Sequence, residues 1–346
     1  MNAPYTSSSA EHTEPPEAAE TLRAALAGLL DGLPPTQAAR AVDRLIANYR
    51  GTTPTGAPIL RDRADVVAYA AYRMPATFEA VASALRALAD AAPADWRPGS
   101  HLDIGGGTGA AVWAARDAFP EARSTTVLDW SEPALALGRE LAAADEELSK
   151  SVRWQRARIG AAEPLPGADL VTISYVLKEL TEADRAAVVD AAARAATEAT
   201  GAVAVVEPGT PDGYARIIAA RDRLIAAGLR VAAPCPHSAT CPIAPGTDWC
   251  HFSVRVSRSS LHRRVKGGTL AYEDEKFAYV VATRFEPRPV AARVVRRPQM
   301  RKGQVLLDLC EARGALDRVT VTKKHGGLYK EARGVEWGDG WEQPGN

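Results

Sequence analysis

Four cysteines carry the first chemical signal. Cys235, Cys241 and Cys250 fall close together, separated by five and eight residues, and Cys310 follows after a further fifty-nine. Their surroundings, Cys235-Pro236-His237, Cys241-Pro242 and Asp248-Trp249-Cys250-His251, are Pro-rich and lack periodicity. Such a segment is a poor place for three unrelated core thiols. In a compartment that keeps thiols reduced, a structural disulfide pair is the weaker expectation. Four thiolates suit tetrahedral zinc or an iron–sulfur cluster. Paired C-x₂-C knuckles, the usual zinc spacing, are missing, and the Cys-Pro steps fit cluster ligands at least as well. His237 or His251 could replace one thiol. Spacing therefore points to a metal and leaves its identity open.

The second signal is the run Asp103-Ile104-Gly105-Gly106-Gly107-Thr108-Gly109. Glycines between a strand and a helix let a ligand approach the backbone, and the helix's amino end favours negative charge. A dinucleotide fingerprint fits Gly105, Gly107 and Ala110. The tighter Gly105, Gly107, Gly109 spacing, with Asp103 two residues ahead, better resembles the first motif of S-adenosylmethionine-dependent methyltransferases. In that motif the acid supports the methionine end of the ligand. Asp129, ending the next strand, is placed to accept hydrogen bonds from ribose hydroxyls in either case. No general base stands out, and Glu207 is a candidate by position alone. Pro234-Cys235 and Thr240-Cys241 imitate the nucleophile pairs of cytosine-C5 RNA methyltransferases, but both lie beyond the fifth strand, where that chemistry cannot use them.

These residues need a frame that holds them. His101–Ile104, Thr125–Asp129, Val152–Ala157, Asp169–Tyr175 and Gly201–Val206 read as strands, with helices between them. Ser131 with Pro133, and Thr181 with Asp184, mark helix starts. A helix from Pro211 to near Gly228 leads to a short strand at Leu229–Ala233. This alternation predicts a doubly wound parallel sheet. Upstream, Val42, Leu45, Ile46 and Tyr49 follow Pro34-Pro35-Thr36 at helical spacing, and Phe78, Val81, Leu85 and Leu88 share one face of a second helix. Residues 1–18 read as a disordered leader, 19–95 as a helical cap and 96–285 as the sheet domain with a Cys-rich insertion at 234–252. Downstream of that insertion, Lys276–Thr283 alternates as a strand. Val305, Leu307 and Leu309, then Val319 and Val321, predict a hairpin in a small basic β-rich unit over 286–346 that completes the cysteine site.

The 346 residues are balanced at 42 Lys+Arg and 42 Asp+Glu, but unevenly placed. Residues 251–346 hold 19 Lys+Arg against 11 Asp+Glu. A basic end, with Arg296, Arg297, Arg301, Lys302, Lys323 and Lys324, implies a polyanionic partner and argues against a purely small-molecule enzyme. No apolar run approaches a membrane span, and the first residues lack signal-peptide character.

Asp103–Gly109, Cys235-Pro236-His237, Cys241-Pro242, Asp248–Phe252, Tyr272–Phe277 and Leu307–Cys310 together resemble the small-ribosomal-subunit methyltransferase-like family, across roughly residues 40–340. Eukaryotic members serve the mitochondrial ribosome. The resemblance implies a Rossmann-like S-adenosylmethionine-dependent methyltransferase α/β fold with an N-terminal helical cap and a small C-terminal β-rich domain. It implies S-adenosylmethionine at Asp103, Gly105, Gly107, Gly109 and Asp129, and a four-iron four-sulfur cluster on Cys235, Cys241, Cys250 and Cys310. The expected partner is small-subunit ribosomal RNA in the precursor subunit, either methylated or bound during maturation. High Ala and Arg content and the lack of a basic, acid-poor transit peptide suggest a bacterial member; a cytoplasmic monomer is expected.

Overall fold

Apolar β-branched runs bounded by turn residues produce the expected strands. The structure, a computed structural model, describes residues 17–31, 36, 63–121, 123–158, 164–257 and 271–342. The first sheet contains β1 (Ser100–Ile104), β2 (Ser124–Asp129), β3 (Val152–Arg156), β4 (Leu170–Ser174), β5 (Ala202–Pro208), β6 (Arg230–Ala233), β7 (Phe252–Ser257) and β8 (Tyr272–Thr283). Its order is β3-β2-β1-β4-β5-β8-β6, with β7 also on β8. Strands β1 to β5 pair in parallel, whereas β8 runs antiparallel to β5, β6 and β7. The sheet is thus α/β and mainly parallel, with one reversed strand that the alternation of elements did not announce. Strand β8 begins four residues before the expected Lys276. Its charged first half pairs with β7, and its second half is buried on both faces between β5 and β6.

Helices cover both faces. They are α1 (Glu17–Asp31), α2 (Arg63–Ala91), α3 (Ala110–Ala118), α4 (Glu132–Ala142), α5 (Glu146–Ser151), α6 (Glu182–Ala195) and α7 (Pro211–Ala226). Ser131 caps α4 and Thr181 caps α6, accepting from the Ala134 and Asp184 amides. The strands' period of two splits the interior. Val127, Leu170, Ala204, Val206 and Val281 pack under α1 to α4, while Leu102, Ile104, Val171, Val205 and Val280 pack under α6 and α7. Phe78, Val81, Leu85 and Leu88 are buried on α2, which starts at Arg63 and carries Pro75 inside it, earlier than the expected Ala76. Fully burying each such side chain contributes about 1.5–3 kcal/mol. The expected helix around Val42–Tyr49, and the leader up to residue 16, lie outside the described residues.

A second, antiparallel sheet holds β9 (Ala292–Val294), β10 (Gln299–Arg301), β11 (Gln304–Glu311), β12 (Leu316–Thr322) and β13 (Gly340–Trp341), with helix α8 (Gly327–Ala332) against it. The predicted hairpin is β11–β12, with Val305 opposite Val321 and Leu307 opposite Val319. Val305, Leu307 and Leu309 form this unit's core, and Cys310 points from the other face. Among the described residues, no helix is long and apolar enough to cross a membrane.

Candidate functional site

The glycine loop leaves β1 and enters α3. Gly105, Gly107 and Gly109 have φ of 71°, 54° and 85°, backbone conformations that a side chain would strain. The Gly105 amide donates to the Leu128 carbonyl (2.7 Å), and the Gly107 amide donates to Asp129 Oδ2 (2.9 Å). The Ser131 amide donates to the other oxygen, Asp129 Oδ1 (2.8 Å), so Asp129 ties the loop to the end of β2. The Trp130 amide also donates to this carboxylate, which has about four lone-pair sites and so keeps room for a ligand hydroxyl. At the opposite side of the loop, the Trp154 ring of β3 lies against Gly109 and Gly138, where a Cβ would come within 2.5 and 2.3 Å of it.

Asp103 is sealed beneath this loop, with no exposed surface. Its Oδ1 accepts from Thr172 Oγ1 (2.7 Å), which in turn lies 2.8 Å from His101 Nε2. Its Oδ2 has no hydrogen-bond partner, and a Cβ on Gly106 would stand 2.2 Å from it. Asp103 therefore lies directly beneath the loop, with one carboxylate oxygen unpartnered. Burial, with Asp129 adding, pushes its carboxyl up to about 7. Sequence reasoning missed Trp130, 47% exposed beside Asp129 and available to cover a flat ring. An aromatic residue directly after the strand-ending acid was the signal for it.

Just past β4, burial, with Asp129 and Glu207 adding, pushes the Glu179 carboxyl up to about 7, whereas two other groups at the ends of β4 and β5 are engaged. Glu207 is fully buried, accepting from Arg216 Nε (2.6 Å) and from the Leu177 amide (3.1 Å). That ion pair and the Leu177 amide occupy its carboxylate. Tyr175 follows β4 in a left-handed conformation, φ 58°, rare for a non-glycine residue. Its hydroxyl donates to Glu275 Oε1 (3.1 Å), which also takes Arg73 Nη2 of α2 (3.0 Å).

All four cysteines line one cavity of about 30 Å³ with Tyr214, Arg221, Tyr279 and apolar side chains. The fold thus gathers the four cysteines around one space. Cys241 Sγ lies 3.2 Å from the Tyr214 hydroxyl, and Cys310 Sγ lies 3.4 Å from His237 Nε2. Burial, with neighbouring thiols adding, raises Cys250, and raises Cys310 to about 12. Cys241 and Cys310 partner with nearby side chains and not with one another. Accordingly, among the described residues no three His, Cys, Asp or Glu side chains form a group that could hold a metal ion. The donor chemistry, four thiols on one enclosed space, fits a thiolate-bound centre whose binding would draw them inward.

The basic end is also rearranged. Arg296 is half-buried and ion-paired with Asp248, and Arg318 pairs with Asp308 (2.7 Å). Arg297, Arg301, Lys302, Lys323 and Lys324 are exposed. The β10–β11 turn sets Arg301 and Lys302 beside the end of β12, where the Lys323 amide donates to the Gly303 carbonyl.

Residues 63–342 match the family described as mitochondrial small ribosomal subunit Rsm22. The chain belongs to this family. A human relative, "Ribosome assembly protein METTL17, mitochondrial", is 28% identical over 295 residues, covering 78% of this chain and 61% of the human protein. "Rsm22-cox11 tandem protein 2, mitochondrial" of Schizosaccharomyces pombe is 26% identical over 181 residues, covering 40% of this chain and 24% of that protein. The chain thus spans less than two thirds of the length of these Rsm22 relatives. A putative RNA methyltransferase from Pyrococcus horikoshii, 15% identical, covers 70% of this chain and 96% of its own at a TM-score of 0.39, too loose an alignment to carry an argument.

The buried Asp103 generates a pH prediction. Its folded value of about 7 lies above the ordinary 3.8, so the folded state keeps a proton that the unfolded chain releases. Stability without ligand should be greatest below about pH 4 as far as this group acts, and should fall as pH rises to about 7. Urea midpoints measured across that window should show the decline, and Asp103→Asn should flatten it. An identical pH slope in both proteins would show that Asp103 does not titrate there.

Proposed function

We propose that this Rsm22-family chain is a cytoplasmic, monomeric S-adenosylmethionine-dependent methyltransferase acting on small-subunit ribosomal RNA during ribosome assembly. The observation that carries the reading is the left-handed glycine loop tied by Asp129, above the unpartnered Oδ2 of Asp103. Asp103, Gly105, Gly107, Gly109 and Asp129 would hold the ligand, with Trp130 against its base. The bound donor would supply the methyl group. The catalytic residue is unassigned. The occupied state of Glu207 and Tyr175 favours a second reading, an RNA-binding assembly factor that binds the donor without transferring its methyl group.

Cys235, Cys241, Cys250 and Cys310 would hold a four-iron four-sulfur cluster, with zinc as the alternative. What supports it is the shared cavity together with the sequence resemblance. Such a centre would join the 234–251 loop to β11, fixing the exposed basic corner relative to the glycine loop. One RNA strand could then run along both, gripped through its phosphates.

Three outcomes are expected. Anaerobically purified protein should be brown with about four irons per chain, and Cys241→Ser should lose both iron and colour; a colourless protein with stoichiometric zinc decides for the alternative. Calorimetry should detect S-adenosylmethionine binding, weakened by roughly 1–3 kcal/mol in Asp129→Ala; tight NAD binding in its place would overturn the ligand assignment. Charge reversal at Arg297, Arg301 and Lys302 should reduce co-sedimentation with precursor small subunits and flatten its salt dependence. Methylation mapping in cells then separates the two readings. Asp129→Ala should erase one ribosomal RNA mark under the first and none under the second.

A further inference from the structure

Helix α7 turns Arg221 into the interior, where it is 1% exposed. A guanidinium cannot shed its proton to escape such a site, so burial demands a nearby negative charge. Among the described residues its ion pair is with Asp222, 3.4 Å away, and that side chain is 65% exposed, so water screens it. Arg221 Nη2 donates to the carbonyls of His237 (3.1 Å) and Ala239 (2.5 Å), dipoles that leave its net charge unmatched. Its Nε is buried with no hydrogen-bond partner.

The negative charge that would match it has one place to sit. Arg221 lines the same cavity as the four cysteines. A second arginine, Arg293, reaches the same loop, donating to the Pro234 carbonyl (2.9 Å) and the Gly338 carbonyl (3.1 Å). Arg296, by contrast, is already paired with Asp248. Four thiolates around a dipositive core leave two negative charges, whether that core is zinc or an oxidised four-iron cluster.

We propose that Arg221 is the built-in counter-charge of a dianionic four-thiolate centre in this cavity, a positioning residue that holds the centre by charge without ligating it. The proposal rests on the thiolate reading above and holds for either metal. Removing the charge should make an iron–sulfur centre harder to reduce and easier to strip. Removing only the guanidinium's shape should do neither.

The test uses the full chain, reconstituted anaerobically with iron and sulfide, and compares Arg221→Gln with Arg221→Lys. Two quantities are read: the rate of iron loss to a chelator, and the midpoint potential followed by electron paramagnetic resonance. Arg221→Gln should lose iron roughly 10- to 100-fold faster and shift the potential to more negative values. Arg221→Lys should stay near the wild type in both. A purely structural role for Arg221 would leave the potential of any retained cluster unmoved. Equal behaviour of the two variants, whether both like the wild type or both equally depleted, overturns the counter-charge. A wild type that takes up stoichiometric zinc and no iron defeats the cluster alone, and zinc release from the same variants then decides the proposal. A wild type that takes up neither overturns both.

Discussion

Strand β8 is the constraint on which the rest of the molecule hangs. It is the reversed strand of a mainly parallel sheet, and it bonds to β5, β6 and β7. Ala233 at the end of β6 pairs with Val281, and Phe252 at the start of β7 pairs with Phe277. Both ends of the cysteine loop are therefore clamped by one strand. Loop closure costs entropy, and fixing both ends in a sheet removes most of that cost from any event at the thiols. The Trp249 indole adds a third tie, donating to the Gly209 carbonyl (3.1 Å) just past β5. The same strand also carries Glu275, which joins Tyr175 at the β4 end to Arg73 of the helical cap.

The two candidate sites consequently share a support without sharing atoms. The glycine loop depends on β1 and β2, held by Asp129 and by the buried Asp103–Thr172 pair. The thiol cavity depends on β6, β7 and α7, and is completed by Cys310 from the second sheet. An antiparallel sheet of this size has a core of only a few residues, Val305, Leu307, Leu309 and Val321 among them. Such a unit gains from any bond that fastens it to a larger neighbour.

Much of this was legible in the residues. β4 and β5 are mainly apolar runs because both of their faces are buried, and the caps Ser131 and Thr181 mark where helices begin. The cysteines were found together because Pro-rich, aperiodic sequence leaves little else for them to do. What escaped had local sequence that argued the other way. The first half of β8, Tyr272-Glu273-Asp274-Glu275-Lys276, is charged like a solvated loop, and becomes a strand only through its pairing with β7. Glu207 ends a strand where a base would be useful, yet Arg216, nine residues on, captures it. The depth of Asp103, packed directly against Gly106, was likewise not readable from its position in the motif. Nothing in the spacing of α7 distinguishes Arg221 from the exposed Arg223 two residues later.

The Trp154 ring has a consequence for how this chain can change over generations. It fills the space between the start of α3 and the middle of α4, and both Gly109 and Gly138 lack a Cβ where it passes. A larger residue at either glycine collides with the indole, and a smaller residue at 154 leaves a void beneath the loop. Each single step passes through a worse-packed molecule. The trio is therefore expected to vary as a set among descendants of this chain, although its members are separated by 29 and 16 positions along it.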